Sequence, residues 1–394
     1  MAREDYSQGP MARLFEGAEK TSFGEGYNMG FLIRGIPDYL RNLASDEAFR
    51  RTCANVAKHL AGGDVNRVVV TGCGTSFHAA LGLLDAIRQF TQIPGTAITP
   101  FEIVNYPASD LSRGTCVLSF SHSGRAKISV DATRTAKSRG CSTVAFTSLP
   151  GSPLERESDF SVVIPGGREP ALPKTKSYVC ALWTIYRLVI DISRAMKTLD
   201  ESELKAREAD IASAADEADR VILAMDAAMA ELAKELSNCR EVIFIGAGPN
   251  YPTAMEAALK FQETNYTTSQ GEELEEMAHG PLAELDEASV LAIIAPKGPS
   301  VDRAIDLAKA AKLTGARVVA FTTDDKSELA KVAQYSYALE EHICETFSPL
   351  LYILPLYLWN YHLALVKGTN PDLCRCDEPK YKEVMDIVFP PGTH

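Results

Sequence analysis

The chain has 394 residues, of which 46% are hydrophobic and 23% are charged, as in ordinary globular proteins. This length predicts two domains and excludes a small scaffold that depends on disulfides or metal ions for its stability. The net charge is −12, from 40 basic and 52 acidic residues, and no long basic run occurs, so we expect no nucleic-acid partner.

The N-terminal residues carry charges where a secretory signal would need an apolar core. The sequence also lacks a run of about 18 apolar residues, so we expect a cytoplasmic protein without a membrane partner. The nine cysteines are scattered and mostly lie in apolar runs, which predicts reduced thiols. Only Cys374 and Cys376 lie close together, and a C-x-C pair alone is weak evidence for zinc, so we expect no metal site.

The chain contains two similar halves. Residues 68–87 and 242–261 each read as an apolar β-type run, then G-x-G, then an aromatic residue and an Ala-rich helical stretch. The similarity recurs at the same offset, within one residue, between 140–148 and 315–323. A fixed offset of this kind is the signature of an internal repeat.

Each half alternates short apolar runs with helical periods, which is typical of parallel strands joined by crossover helices. The sequence therefore predicts an α/β fold with two tandem flavodoxin-like sandwiches, each a parallel sheet flanked by helices on both faces. The predicted units are an N-terminal lead-in (1–47), the first sandwich (48–199), a connector of one or two helices (200–237), the second sandwich (238–367) and a C-terminal tail (368–394).

Hydroxyl side chains follow two strands of the first half. Phe77 stands where a dinucleotide fingerprint would need its third glycine, so a nicotinamide cofactor is not favoured. Thr75 and Ser76 begin one helix, and Ser121 and Ser123 follow the next strand, at the sheet edge where ligands bind. Helix capping is the alternative. Because the equivalent turns of the second half lack most of these hydroxyls although they need the same caps, a phosphate site is favoured.

Ionisable side chains appear instead in the second half. Lys260 and Glu263 lie one turn apart on a predicted helix, and His279 precedes a Gly-Pro turn after an acidic segment. The alternatives are a solvent-exposed ion pair and a histidine that takes no part in chemistry.

Five motifs in order, CGTSFHA, SHSG, TKSY, ALKFQE and HGPL, resemble the sugar isomerase (SIS) domain pair of glucosamine-6-phosphate synthase and of the ketosamine-6-phosphate deglycases. The resemblance covers about residues 48–367. It implies sugar-phosphate binding by two turns and one loop, with these residues: Cys73, Gly74, Thr75, Ser76, Ser121, His122, Ser123, Lys174 and Thr175.

The same resemblance implies the catalytic roles. Glu263 would move a proton between C1 and C2 of an open-chain sugar, with Lys260 as its neighbour, and a carboxylate suits this task if burial raises its pKa. His279 would open the sugar ring from the other subunit, so a homodimer is expected. This chemistry requires neither a metal nor an organic cofactor.

The chain departs from the synthase in two places. One turn continues with Arg125 and Lys127, two cations that would strengthen binding of the sugar's anion or receive a second anion such as a carboxylate; solvated cations are the alternative. The synthase also closes its site with a tail lysine. Lys380 and Lys382 lie near that position but out of register, so the role stays unassigned.

The leading hypothesis is a ketosamine-6-phosphate deglycase that releases glucose 6-phosphate and an amine. Because the chain starts about 47 residues before the first sandwich, without the synthase's N-terminal cysteine, we expect it to be independent of glutamine. One alternative is an aldose–ketose isomerase or a deaminase of an amino-sugar phosphate, with a sulfonated sugar as a variant. A non-catalytic sugar-phosphate sensor is the other.

Overall fold

The computed structural model describes residues 27–106 and 110–390, so most of the predicted lead-in (1–26) and the end of the tail (391–394) lie outside the described residues. Among the described residues, three helices precede the first sheet: α1 (Asn28–Arg34), α2 (Ile36–Ser45) and α3 (Glu47–Leu60). The side chain of Asp46 caps α3 by accepting a hydrogen bond from the Phe49 backbone N–H at 2.9 Å.

The first half is a parallel sheet with strand order β2-β1-β3-β4-β5. Alternate residues of β1 enter different cores: Val68 and Val70 belong to the main core of the protein, and Val69 belongs to a smaller core on the other face. Helices therefore cover both faces. The elements are β1 (Arg67–Gly72), α4 (Thr75–Phe90), β2 (Gly95–Ala97), α5 (Pro100–Asn105), β3 (Thr115–Phe120), α6 (Lys127–Ser138), β4 (Ser142–Thr147), α7 (Pro153–Glu157), β5 (Phe160–Val163) and α8 (Lys176–Met196).

The second half repeats this arrangement, with strand order β10-β9-β8-β6-β7 and only parallel pairs. Val242 and Phe244 of β6 enter the main core, whereas Ile243 and Ile245 enter a core on the opposite face. The elements are β6 (Glu241–Gly246), α10 (Tyr251–Thr264), β7 (Thr268–Glu273), β8 (Ser289–Ala295), α11 (Val301–Leu313), β9 (Arg317–Thr322), α12 (Glu328–Val332), β10 (Tyr335–Ala338) and α13 (Pro349–Lys367).

The two sheets correspond strand by strand, with β1 matching β6 and β3 matching β8. The predicted tandem α/β fold is therefore confirmed. The equivalent helices α4 and α10 pack against each other, and residues of both lie in the main core. The carboxyl ends of the β1 and β3 strands consequently face a helix of the other half.

The connector is one helix rather than two. α9 spans Glu201–Glu235, and a capping box between Asp200 and Glu203 starts it. It packs along α13. The stretch Glu345–Lys367 is long and apolar enough to cross a membrane, but 83% of its most apolar window is buried inside the protein, as expected of a core helix. A last helix, α14 (Pro379–Val388), ends the described chain.

Candidate active site

A pocket opens at the carboxyl edge of the first sheet, below the β1–α4 and β3–α6 turns. Its empty volume is about 350 Å³. Its base is apolar, with Ala79, Phe120 and Phe146, and hydroxyl groups and one lysine line the rest. The predicted site residues that the structure brings together in this lining are Thr75, Ser76, Ser121, His122 and Lys174.

The β3–α6 turn holds its serines through backbone bonds. Ser121 Oγ accepts the Gly124 N–H at 3.2 Å, and Ser123 Oγ accepts the Arg125 N–H at 3.2 Å. A hydroxyl that accepts in this way keeps its own proton free to donate. Gly124 has a φ of 60°, and a Cβ at this position would lie 2.2 Å from Ser152 Oγ, so the turn requires glycine.

The β1–α4 turn places its residues differently. Gly74 has a φ of 53°, which lets the chain reverse from β1 into α4, and Cys73 is a free, exposed cysteine beside it. The Thr75 hydroxyl is not free: it donates to Glu256 Oε1 at 3.1 Å and accepts from Lys260 Nζ at 3.0 Å. Thr75 therefore links the pocket of the first half to α10 of the second half.

Lys260 and Glu263 form the predicted pair on α10, with the Lys260 ammonium hydrogen-bonded to Glu263 Oε2. Lys260 is 0% exposed, so the alternative of a surface ion pair is wrong. The side chain of Glu263 is 26% exposed and keeps access to the outside of the cluster. The pair thus lies at the junction of the halves, one hydrogen bond away from a residue that lines the pocket.

Glu256, which the sequence analysis missed, holds this cluster together. It is fully buried and lies 3.4 Å from the Lys260 ammonium. It also contacts His78 Nδ1 at 2.7 Å and accepts from the Tyr357 hydroxyl at 3.1 Å. A signal was present, because Glu256 lies four residues before Lys260 and hence on the same helix face.

Burial and neighbouring charges in the cluster shift the pKa values of Glu263 and Lys260. Burial raises the pKa of Glu263, and nearby Glu256 adds to this, although Lys260 opposes it. Burial alone would lower the pKa of Lys260, but both carboxylates outweigh it and raise that pKa. A carboxylate with a raised pKa beside a cation is suited to take up a proton and return it.

The loop before α8 is organised by a second residue that the sequence analysis missed, Glu169. It is 1% exposed, and its carboxylate accepts the backbone N–H and hydroxyl hydrogens of Thr175 and Ser177 at 2.6–2.9 Å. Thr175 is 0% exposed, so its hydroxyl serves this carboxylate and is not presented to the pocket. The loop fixes Lys174, whose ammonium donates to the Ala171 carbonyl at 2.6 Å.

His122 is held by the same loop. Its Nε2 accepts the Glu169 backbone N–H at 3.3 Å, and its Nδ1 has no partner among the described residues. Burial and the charges of Lys174 and Lys176 lower the pKa of His122 well below its usual range. The ring is therefore neutral, with its proton on Nδ1.

Cys73 and Ser123 are not part of the pocket lining, and three further predicted residues lie elsewhere. Arg125 is exposed and lines a separate pocket with Arg156, so the expectation that it would meet the same anion as Ser121 is not supported by this geometry. Lys127 pairs with Asp131 on its own helix. His279 is 65% exposed, and its described ion-pair partner is Glu275 at 3.7 Å, not the cluster around Glu263.

The tail reaches the site through a residue that was not assigned to it. The charges of Glu263, Lys260 and Lys174 all act on the thiol of Cys374, whose pKa is raised well above its usual range by burial. Lys380 and Lys382 are exposed on α14. Among the described residues there is no cluster of three or more His, Cys, Asp or Glu side chains that would hold a metal ion.

A family model described as "SIS domain" matches residues 64–190 and 235–367, the two sandwiches just described. The chain belongs to the SIS domain family. It is 32% identical over 310 residues to the glutamine–fructose-6-phosphate aminotransferase (isomerizing) of Methanothermobacter thermautotrophicus. The aligned residues make up 79% of this SIS chain and 50% of the relative. The chain thus spans about half the length of the curated relatives it matches.

Solved structures share the fold of this SIS protein. The C-terminal domain of glucosamine-fructose-6-phosphate aminotransferase from Francisella tularensis superposes with a TM-score of 0.81 and 22% identity, over 90% of this chain and 100% of that one. A glucosamine-6-phosphate deaminase from Thermotoga maritima gives a TM-score of 0.69 and 20% identity, over 88% of this chain and 96% of that one.

Proposed function

We propose that the protein is an enzyme that acts on a 6-phosphorylated ketosamine and releases glucose 6-phosphate and a free amine. The observation that carries this proposal is the position of the Lys260–Glu263 pair. Lys260 donates a hydrogen bond to Thr75, which lines the hydroxyl-rich pocket of the other half. In this proposal the reaction needs neither a metal ion nor an organic cofactor.

The first part of the proposal concerns binding. Free hydroxyl hydrogens of Ser121 and Ser123 and the Nδ1–H of His122 would donate to the phosphate at the mouth of the pocket. Fixing the phosphate fixes the carbon chain, and positioning of this kind contributes on the order of 7 kcal/mol or more to a rate.

The second part concerns the reaction. In the open-chain ketosamine, Glu263 removes a proton from C1; the electron pair of that C–H bond forms the C1–C2 double bond, and the carbonyl pair moves to the oxygen on C2. Glu263 then returns the proton to C2, where the pair of the C1–C2 double bond takes it, while the nitrogen lone pair forms a C1–N double bond and the N–H proton passes to the oxygen on C2. Water adds to C1, the C1–N bond breaks, and the amine leaves with a proton. Each turnover consumes one water and no glutamine.

The third part concerns ring opening. We propose that His279 acts from a second subunit, because it is exposed and distant from its own cluster in the described contacts. An imidazole can give and take protons near neutral pH, as opening a sugar ring requires.

The proposal is tested by incubating the protein with 6-phosphorylated fructosyl amino acids and measuring free amino acid and glucose 6-phosphate together. We expect both products in equal amounts from wild-type protein, and neither from Glu263→Gln. Release of no amine from any of these compounds, together with rapid interconversion of glucose and fructose 6-phosphates, would overturn the deglycase assignment.

A second candidate is a deaminase or aldose–ketose isomerase of an amino-sugar phosphate. The position of Arg125 favours it, since Lys174 is the one cation among the described residues lining the pocket and no arginine there is available for an amino acid's carboxylate. Ammonia and fructose 6-phosphate formed from glucosamine 6-phosphate, without release of amino acids from ketosamines, would select this candidate.

A further inference from the structure

Lys174 lies in the pocket without a carboxylate bound to it. Its ammonium donates only to the backbone carbonyls of Ala171 at 2.6 Å and Glu169 at 3.3 Å among the described bonds. A buried cation normally has an anionic partner. The third hydrogen of this ammonium is therefore available to a ligand in the pocket.

The other lysines of the region are committed elsewhere. The charge of Lys260 is matched by two carboxylates. The ammonium of Lys176 turns away from the pocket: it donates to the Gly166 carbonyl at 2.8 Å and lies 4.5 Å from the centre of the Tyr39 ring. Lys174 is thus the cation that the fold presents to the pocket.

The ammonium also shares its surroundings with the proton-handling pair. The charges of Lys260 and Glu263, from α10, act on Lys174, as do Glu169 on its own loop and Cys374 on the tail. His122 of the β3–α6 turn also feels its charge. Lys174 lines the pocket together with Thr75, whose hydroxyl accepts from Lys260, the partner of Glu263. A sugar bound in this pocket with its reacting carbons toward Thr75 would therefore lie near both Lys174 and the Lys260–Glu263 pair.

We infer that Lys174 is a catalytic residue that binds the oxygen on C2 of the open-chain sugar and stabilises the negative charge formed there while Glu263 holds the C1 proton. This inference rests on the proposed function. The carbonyl electron pair that moves to this oxygen is met by an N–H donor already in place, and no atom of the lysine is transferred. Donors fixed where charge develops in the transition state speed such reactions by large factors.

The acidity of the lysine agrees with this role. Burial lowers the pKa of Lys174 to about 8, and Lys260 contributes, although Glu169 opposes it. An ammonium of lowered pKa is a stronger hydrogen-bond donor to an enolate oxygen. Because the charged form is the active one, turnover should fall as the pH rises through about 8.

The experiment compares Lys174→Met with Lys176→Met, which alters a buried lysine two positions away at the start of α8. Turnover and the exchange of the C1 proton with deuterated water are measured for both. We expect Lys174→Met to lower kcat on the order of 100-fold while KM changes by less than about threefold, and Lys176→Met to leave kcat within about threefold. Lys174→Arg should stay folded and move the alkaline limb of the pH profile upward, since an arginine keeps its charge.

Two results would overturn the inference while leaving the proposed function intact. One is a raised KM with unchanged kcat in Lys174→Met, which would make Lys174 a phosphate ligand only. The other is an alkaline limb that does not move in Lys174→Arg, which decides the question even if the methionine variant fails to fold. A wild-type protein that neither releases amine nor exchanges C1 protons would instead reject the proposed function, and the inference with it.

Discussion

Lys260 lies between two carboxylates that have different surroundings. Glu256 is fully buried and also contacts His78 and Tyr357. Glu263 is partly exposed and contacts Lys260, but neither His78 nor Tyr357, in the described bonds. The buried acid therefore anchors the lysine, and the lysine anchors Glu263. This division leaves Glu263 as the carboxylate that is free to exchange a proton with a ligand.

Glu263→Gln should reduce turnover on the order of 100-fold or more, because an amide cannot accept the C1 proton. Its matched control is Glu231→Gln, which alters a comparable (i, i+3) pair with Lys234 on an exposed face of α9. Steady-state kinetics with a ketosamine phosphate measure both. Turnover in Glu263→Gln equal to that of the control would remove Glu263 from the mechanism.

Glu169 gives a pH-dependent prediction. Burial alone would raise its pKa, but Lys174, Lys176 and His122 outweigh burial and lower it to about 2 from 4.5. Because the folded state binds this proton more weakly than the unfolded state, the stabilisation from Glu169 is present above pH 4.5 and is lost as the pH falls toward 2.

Glu169→Gln should accordingly lower the free energy of unfolding near neutral pH by about 3 kcal/mol, since it removes the carboxylate charge that acts on the buried Lys174 and Lys176, although no described bond joins this carboxylate to either ammonium. The loss should shrink as the solution is acidified. Urea unfolding at several pH values checks this, with the exposed Glu201→Gln as control. A loss of stability that stays constant down to about pH 3 would contradict the assignment.

The equivalent helices α4 and α10 carry different side chains at corresponding positions. The positions of α4 that correspond to Glu256, Lys260 and Glu263 hold Gly82, Ala86 and Gln89. Conversely, the turns of the second half lack the hydroxyls of the first. The hydroxyl-rich turns of the first half therefore meet the Lys260–Glu263 pair of the second half, and the reverse combination does not occur among the equivalent positions.

The turn at the start of the tail ties three elements together at this junction. Asp372 accepts the backbone N–H groups of Asn28 and Met29 at 2.9 Å each, and its carbonyl accepts the Leu172 N–H at 2.8 Å. Two residues further along the chain is Cys374, on whose thiol the charge of Glu263 acts. Asp372 thus links the tail to α1 through its carboxylate and to the Lys174 loop through its backbone carbonyl.

Asp372→Ala should release the carboxylate link to α1, so that the tail is cleaved sooner by protease and turnover falls with the loss of Lys174 positioning. Limited proteolysis followed by mass spectrometry locates the cleavage. Asp377→Ala, an exposed carboxylate of the same segment, is the control. Equal cleavage rates in the two variants would show that Asp372 does not hold the tail.

The sequence predicted elements better than contacts between them. Apolar runs and helical periods predicted six strands, β1, β3, β4, β6, β8 and β9, because parallel strands buried on both faces read as continuous apolar segments. The outer strands β2, β5, β7 and β10 are less buried and were not predicted. The connector was left as one or two helices, since its Ala-rich pattern contains no break that would decide the matter. In the structure α9 is one continuous helix, and it packs along α13.

The site was predicted in part for a related reason. Hydroxyls after strands and a lysine one turn from a glutamate are local patterns, so the sequence could single out Ser121 and Glu263, whose roles stay predictions. The bonds of Thr75 to Glu256 and of Glu169 to the start of α8 depend on tertiary approach, which spacing does not record. The role of Arg125 stays a prediction; in the structure it lines a separate pocket.

At the scale of the whole molecule, the position of His279 leads to a prediction about assembly. If His279 completes the site of a partner subunit, Glu263→Gln and His279→Asn should each be inactive as a pure dimer. Mixed after unfolding and refolding together, they should recover about a quarter of wild-type activity, because half of the dimers are hybrids with one intact site of two. A mixture as inactive as its parents would place His279 outside the partner's site.

The central claim is that the first half binds the anion and the second half moves the proton of one and the same substrate. A crystal structure with the open-chain analogue glucitol 6-phosphate tests it most directly. The account predicts the phosphate within hydrogen-bond distance of Ser121 and Ser123, with C1 and C2 against Glu263. A phosphate seated instead between Arg125 and Arg156, or carbons C1 and C2 out of reach of Glu263, would contradict it.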